Sequence, residues 1–75
     1  MAKTHERRFA LCISNEGYPA SLEVRKVYFV LPDAASELYG LLRVVDESGE
    51  DYLYPRGFFV SIELPAAAEQ AFATA

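Results

Sequence analysis

Leu41–Pro55 reads LLRVVDESGEDYLYP, and its pattern decides what kind of chain this is. Two apolar runs, LLRVV and YLYP, flank a polar knot, DESGED, that holds one glycine. Short apolar runs either side of a glycine-bearing polar turn predict a β-hairpin. Leu42 and Val44 share one face of the first arm, and Leu41, Arg43 and Val45 share the other. Ser48-Gly49 is the expected turn, with Gly49 in the left-handed region.

Working outward, Phe58–Leu64 (FFVSIEL) alternates Phe58, Val60, Ile62 and Leu64 against Phe59, Ser61 and Glu63, a half-buried strand pattern. Pro55-Arg56-Gly57 is the tight turn before it. On the N-terminal side, Leu22–Leu31 (LEVRKVYFVL) reads as the longest strand, with its apolar parity switching at Arg25-Lys26. A bulge there would send Leu22, Val24, Val27, Phe29 and Leu31 to one core. Phe9–Ser14 (FALCIS) is apolar on both faces. Strands are therefore expected over Phe9–Ser14, Val24–Leu31, Leu41–Asp46, Asp51–Tyr54 and Phe59–Leu64, with Phe29 and Val44 in the core. Asp33 and Gly40 bracket one or two helical turns or a plain loop. Pro65 opens AAAEQAFAT, a short helix whose only large apolar side chain is Phe72. The expected fold class is all-β: a small five-stranded barrel with a short C-terminal helix. Its organisation is a flexible tail over 1–8, a barrel over 9–64, and a helix or tail over 65–75.

The chain has 75 residues, 52% of them hydrophobic, which fits one domain and is too apolar for intrinsic disorder. A chain of this length has a small core and modest stability. Its single cysteine, Cys12, allows no internal disulfide and lies mid-strand, where it reads as a small buried hydrophobe. MAKTHERRF lacks the apolar region of a signal peptide, and Val27–Leu31 is far short of the roughly 20 residues that span a bilayer. The expected location is the cytoplasm, away from membranes.

Net charge is −4 and uneven: residues 1–26 carry five cations against three acids, residues 27–75 two against eight. So few clustered cations argue against nucleic-acid binding. Asp46, Glu47, Glu50 and Asp51 surround one turn, but their spacing does not fit an EF-hand loop, and they read as solvated hairpin carboxylates. One His and one Cys make no zinc set, and the five serines (Ser14, Ser21, Ser36, Ser48 and Ser61) have only His5 as a base. No glycine-rich phosphate loop is present. The expectation is a non-enzymatic protein with no metal and no cofactor.

The aromatic residues remain. With Leu53 inward, Tyr52 and Tyr54 would point outward beside Phe58, bordered by Arg56 and Glu50-Asp51, and Tyr18 sits in the NEGYPAS loop. An apolar centre with charged edges is the anatomy of a protein-binding site. Tyr18, Tyr52, Tyr54, Arg56 and Phe58 are thus the candidate partner-binding residues, for a protein or peptide segment. The alternative is that these rings form a wall covered by loops or by a second copy, in a structural homo-oligomer. The chain would be a monomer or a small homo-oligomer.

Tyr52–Val60, YLYPRGFFV, is similar to the Pro-x-x-aromatic turn that precedes the last strand of small barrels of the Src-homology-3 type. That resemblance implies that Pro55 and Phe58 stand where those domains form a proline-peptide groove. The chain also resembles a group of short bacterial and phage-associated proteins of uncharacterised activity. They carry CISNEGYPASLE, KVYFVLPD, GLLRVVDESGEDYLYP and FFVSIELP in this order, covering Cys12–Pro65.

Overall fold

The hairpin forms where its turn residues dictate. In a computed structural model that describes residues 8–74 (side chains through 72), the backbone N–H of Gly49 donates to the Asp46 carbonyl at 2.9 Å. Gly49 then takes φ +86°, a value an L side chain rarely tolerates, and the Asp46 N–H donates to the Glu50 carbonyl. Asp46 Oδ1 accepts from the N–H and hydroxyl of Ser48, bracing the turn from inside. The arms on either side are β3 (Leu41–Val45) and β4 (Asp51–Pro55), paired from Leu41↔Pro55 to Val45↔Asp51.

β1 (Arg8–Cys12), β2 (Val27–Leu31) and β5 (Phe59–Ile62) complete one antiparallel sheet in the order β4-β3-β2-β1-β5. β1 is interior to the sheet and takes β5 on its outer side, with Cys12 opposite Phe59. α1 (Ala34–Glu37) follows β2. Asp33 caps it by accepting from the Ser36 N–H at 3.1 Å, and Gly40 at φ +76° turns the chain into β3. A 3-10 turn (Arg56–Phe58) separates β4 from β5, and α2 (Ala66–Thr74) follows β5.

The core lies on one face. Ala10 and Cys12 of β1, Tyr28 and Val30 of β2, Val44, Tyr54 and Phe59 alternate inward, joined by Leu22 from the β1–β2 connection. The opposite face carries Phe9, whose ring lies 5.4 Å from that of Phe29 and 5.2 Å from that of Phe72 on α2. The Phe9–Phe72 contact seats the alanine-rich helix, whose single large apolar side chain is this ring.

Three expectations are corrected. Among the described residues the fold is a mixed α/β open sheet with two helices, and the all-β closed barrel is overturned, since β4 and β5 are the two outer edges with no ladder between them. Pro55, which lacks an N–H, ends β4, and the chain passes straight from it into the 3-10 turn. The sheet bends far enough that the rings of Tyr54 and Phe59, from opposite edges, come within 6.4 Å, but only side chains meet there. Second, Leu22–Lys26 is not strand, and β2 begins at Val27. Third, Phe29 is half-buried on the far face and does not join Val44, so the parity switch does not unite the two apolar sets. The other strands end one to two residues short of the C-terminal limits expected for them, except β4, which extends through Pro55. Of the expected 1–8 tail, residues 1–7 lie outside the described residues, and β1 starts at Arg8.

The switch at Arg25 has a backbone cause. Its φ is +74°, and its N–H donates to the Cys12 carbonyl at 2.7 Å, while the Cys12 N–H donates to the Lys26 carbonyl at 2.9 Å. A left-handed non-glycine residue costs about 1–2 kcal/mol, and glycine's added freedom in the unfolded chain costs about 0.5–1 kcal/mol. Arg25→Gly is therefore expected to stabilise the fold by up to about 1 kcal/mol. The urea midpoint should rise at constant slope, and a lower midpoint would show that Arg25 is not strained.

Candidate interaction surface

Tyr18 reaches the sheet because its loop is tied down at both ends. Its N–H donates to the Asn15 carbonyl at 2.8 Å, and its own carbonyl accepts from the N–H of Ser21 and of Leu22. Asn15 Nδ2 donates to the Leu22 carbonyl at 3.0 Å, closing the loop, and Leu22 is buried in the core. This places the Tyr18 ring among three others. Its centroid lies 5.0 Å from Tyr54, edge-on, 6.2 Å from Phe58 and 6.5 Å from Tyr52. Tyr52 and Tyr54 are 5.3 Å apart. Phe58 is held by its carbonyl, which accepts from the Ile13 N–H at 2.7 Å.

The candidate residues separate into three positions. Tyr54 was expected to face outward, but it is 1% exposed, and Leu53 is the one that points away from the core. The cause is register: Tyr54 stands opposite Leu42, on the same side of the hairpin as Val44. Tyr18 and Phe58 are half-buried against the core, and Tyr52 is 56% exposed. Tyr18 joins the other two, and the rings of Tyr18 and Tyr52 both lie against the buried Tyr54. Arg56, expected at their border, lines a cavity with Arg8 and Glu37. Leu38 and Tyr39, just after α1, are also strongly exposed and formed no part of the expected patch.

The acidic turn departs from its expected solvated state. The Tyr54 hydroxyl donates to Asp46 Oδ2 at 2.6 Å, and the Tyr28 hydroxyl donates to Glu47 Oε2. Glu47 Oε2 also meets Lys26 Nζ at 2.6 Å, and the Tyr28 oxygen accepts from the Glu23 N–H at 2.8 Å. Two carboxylates of the hairpin turn thus anchor two core tyrosines. Sequence shows acids and tyrosines but not which cross from turn to sheet. Among the described residues no group of three or more His, Cys, Asp and Glu side chains is placed to hold a metal ion. Cys12 is buried, donates to the Ser14 carbonyl, and burial pushes its thiol up. No helix among the described residues is long and apolar enough to cross a membrane.

These contacts set a pH dependence. The Lys26 ammonium, then the Tyr28 hydroxyl, hold Glu47 below its usual range. Burial pushes Asp46 up, but hydrogen bonds from Ser48 and Tyr54 outweigh it, so it too lies low. Burial, then the Asp46 bond, pushes Tyr54 up to about 12, and burial and Glu47 raise Tyr28 as well. Lowered carboxylates stabilise the fold above their unfolded values near pH 4, and that stabilisation is lost as pH falls through the folded values. Raised tyrosines stabilise it below about pH 10, and this is lost as pH rises toward 12. The melting temperature is expected to fall on both sides of a plateau. Tyrosinate absorbance should lag the free-tyrosine curve until unfolding, and a curve matching free tyrosine would contradict the two bonds.

No family model matches the chain, and neither a curated protein nor a solved structure proves similar to it, so the resemblances to Src-homology-3 barrels and to the bacterial and phage-associated group, the former already at odds with the open sheet, are set aside.

Proposed function

We propose that this chain is a non-enzymatic protein-interaction module whose contact surface is formed by Tyr18, Tyr52 and Phe58. One observation carries the reading: the rings of Tyr52, Tyr54 and Phe58, from a strand and a 3-10 turn, converge on Tyr18 of the loop, and Tyr52 is more than half exposed. Rigid aromatic area with polar tips suits the centre of a protein-binding patch. Tyr54 supports the patch from below and takes no part in contact.

The test separates contact from support. Tyr52→Ala is expected to leave the melting midpoint nearly unchanged and to weaken capture of the native partner from cell extract at least about tenfold, as contact residues of this kind do. Phe58→Ala is expected to lower both, because its half-buried ring also packs on the core. Unchanged capture by Tyr52→Ala would sink the reading. Sedimentation of the purified chain adds the remaining arm: self-association lost in Tyr52→Ala would make the partner a second copy.

A further inference from the structure

At the end of the core face away from the hairpin turn, the open sheet leaves a cavity of about 230 Å³. Val30, Leu42 and Phe59 give it an apolar side, with Ser61 also lining it. Its rim is charged: Arg8 from the start of β1, Glu37 from the end of α1, and Arg56 from the 3-10 turn. Arg8 holds the Glu37 carboxylate, Nη2 to Oε2 at 2.6 Å. Arg56 makes no ion pair among the described residues and acts on Glu37 only through space. The rim therefore carries a net positive charge in a chain whose total is −4.

We propose that this mouth binds a small carboxylate with a short apolar tail, the anion taken by Arg56 and by Arg8 in exchange for Glu37, the tail lying on Val30, Leu42 and Phe59. Three features select that chemistry. A carboxylate already sits on Arg8, so the guanidinium fork is oriented for one. The Arg8–Glu37 pair is part-exposed, and pairs of this kind add little stability, so exchange is inexpensive. A monoanion neutralises the rim's single excess positive charge, Arg8 and Arg56 against Glu37, whereas a dianionic phosphate would leave it negative. The cavity is smaller than those that take drug-sized ligands, which confines the tail to a few carbons. Such a carboxylate is either a free short-chain acid or the C-terminus of a polypeptide ending in an apolar residue.

The experiment is an amide-shift titration of the whole chain with isovalerate, with a short peptide ending in leucine, with the same peptide amidated, and with inorganic phosphate. Saturable shifts at Leu42, Arg56 and Ser61 are expected with an acid and not with the amide. Isovalerate binding identifies a free acid as sufficient, and binding of the peptide acid alone identifies a chain end. Arg56→Gln should weaken binding about tenfold with its melting midpoint kept, since a bidentate charged contact is lost. Glu37→Gln, which removes the competing carboxylate, should tighten it. Equal binding of acid and amide, binding of phosphate alone, or no saturable shift at millimolar ligand overturns the proposal, and an Arg56→Gln variant that binds as the parent does so too.

Discussion

Tyr54→Ala is expected to leave the chain unfolded at room temperature. Tyr54 is among the largest fully buried side chains, and its ring contacts those of Tyr18, Tyr52 and Phe59. Removing a buried aromatic ring costs about 3–5 kcal/mol. A chain this small has only a few kcal/mol in total, so the loss is of the same size as the stability. Tyr54→Phe isolates the hydroxyl. It keeps the ring and removes the donor to Asp46, which is still held by Ser48, so about 1–3 kcal/mol is the expected loss. Urea melts and near-ultraviolet dichroism distinguish the outcomes. A folded Tyr54→Ala chain, cooperative and within about 1 kcal/mol of the parent, would mean that the edge rings carry no core energy.

Leu22→Ala carries the second large effect. Leu22 is 1% exposed though it lies outside every strand, and truncating a fully buried leucine costs about 2–5 kcal/mol. The same residue ties down the loop that holds Tyr18, through its N–H to the Tyr18 carbonyl and its carbonyl to Asn15. Loss of stability is therefore expected together with broadening of the Tyr18 resonances, while β3 and β4 keep their cross-strand contacts until the global transition. If Leu22→Ala melts with the parent, the loop is not part of the core.

The hairpin was legible because both of its signals are local. Polar residues around Gly49 fix the turn, and period-two alternation fixes each arm. α2 was legible from Pro65 and the alanine run. What could not be read was set by distant partners. Tyr52, Leu53 and Tyr54 are all apolar enough to face either way, and only the pairing of Tyr54 with Leu42 settles which one is buried. Leu22–Leu31 looked like one strand because its residues favour extension, yet the left-handed Arg25 breaks it, and arginine carries no signal for that conformation. Closure of the barrel depended on whether the outer edges of β4 and β5 would pair, and no local residue pattern specifies that pairing. The candidate rings were recognisable as aromatic residues near turns, but their meeting at Tyr18 depends on a loop whose path follows from Leu22 and Asn15.

The position of β1 between β2 and β5 has a consequence for synthesis and turnover. β1 is bordered on one side by residues from the middle of the chain and on the other by Phe59–Ile62, close to its end. Pairing elements so distant in sequence closes a long loop, which slows folding relative to a simple meander. As the polypeptide leaves the ribosome, four strands can associate in order while β1 still presents a bare edge, apolar on both faces, to its surroundings. The sheet is finished only when Ile62 has emerged. A chain cut before Phe59 would keep the hairpin and most of the sequence yet expose that edge permanently, in the form that recruits other strands and leads to aggregation.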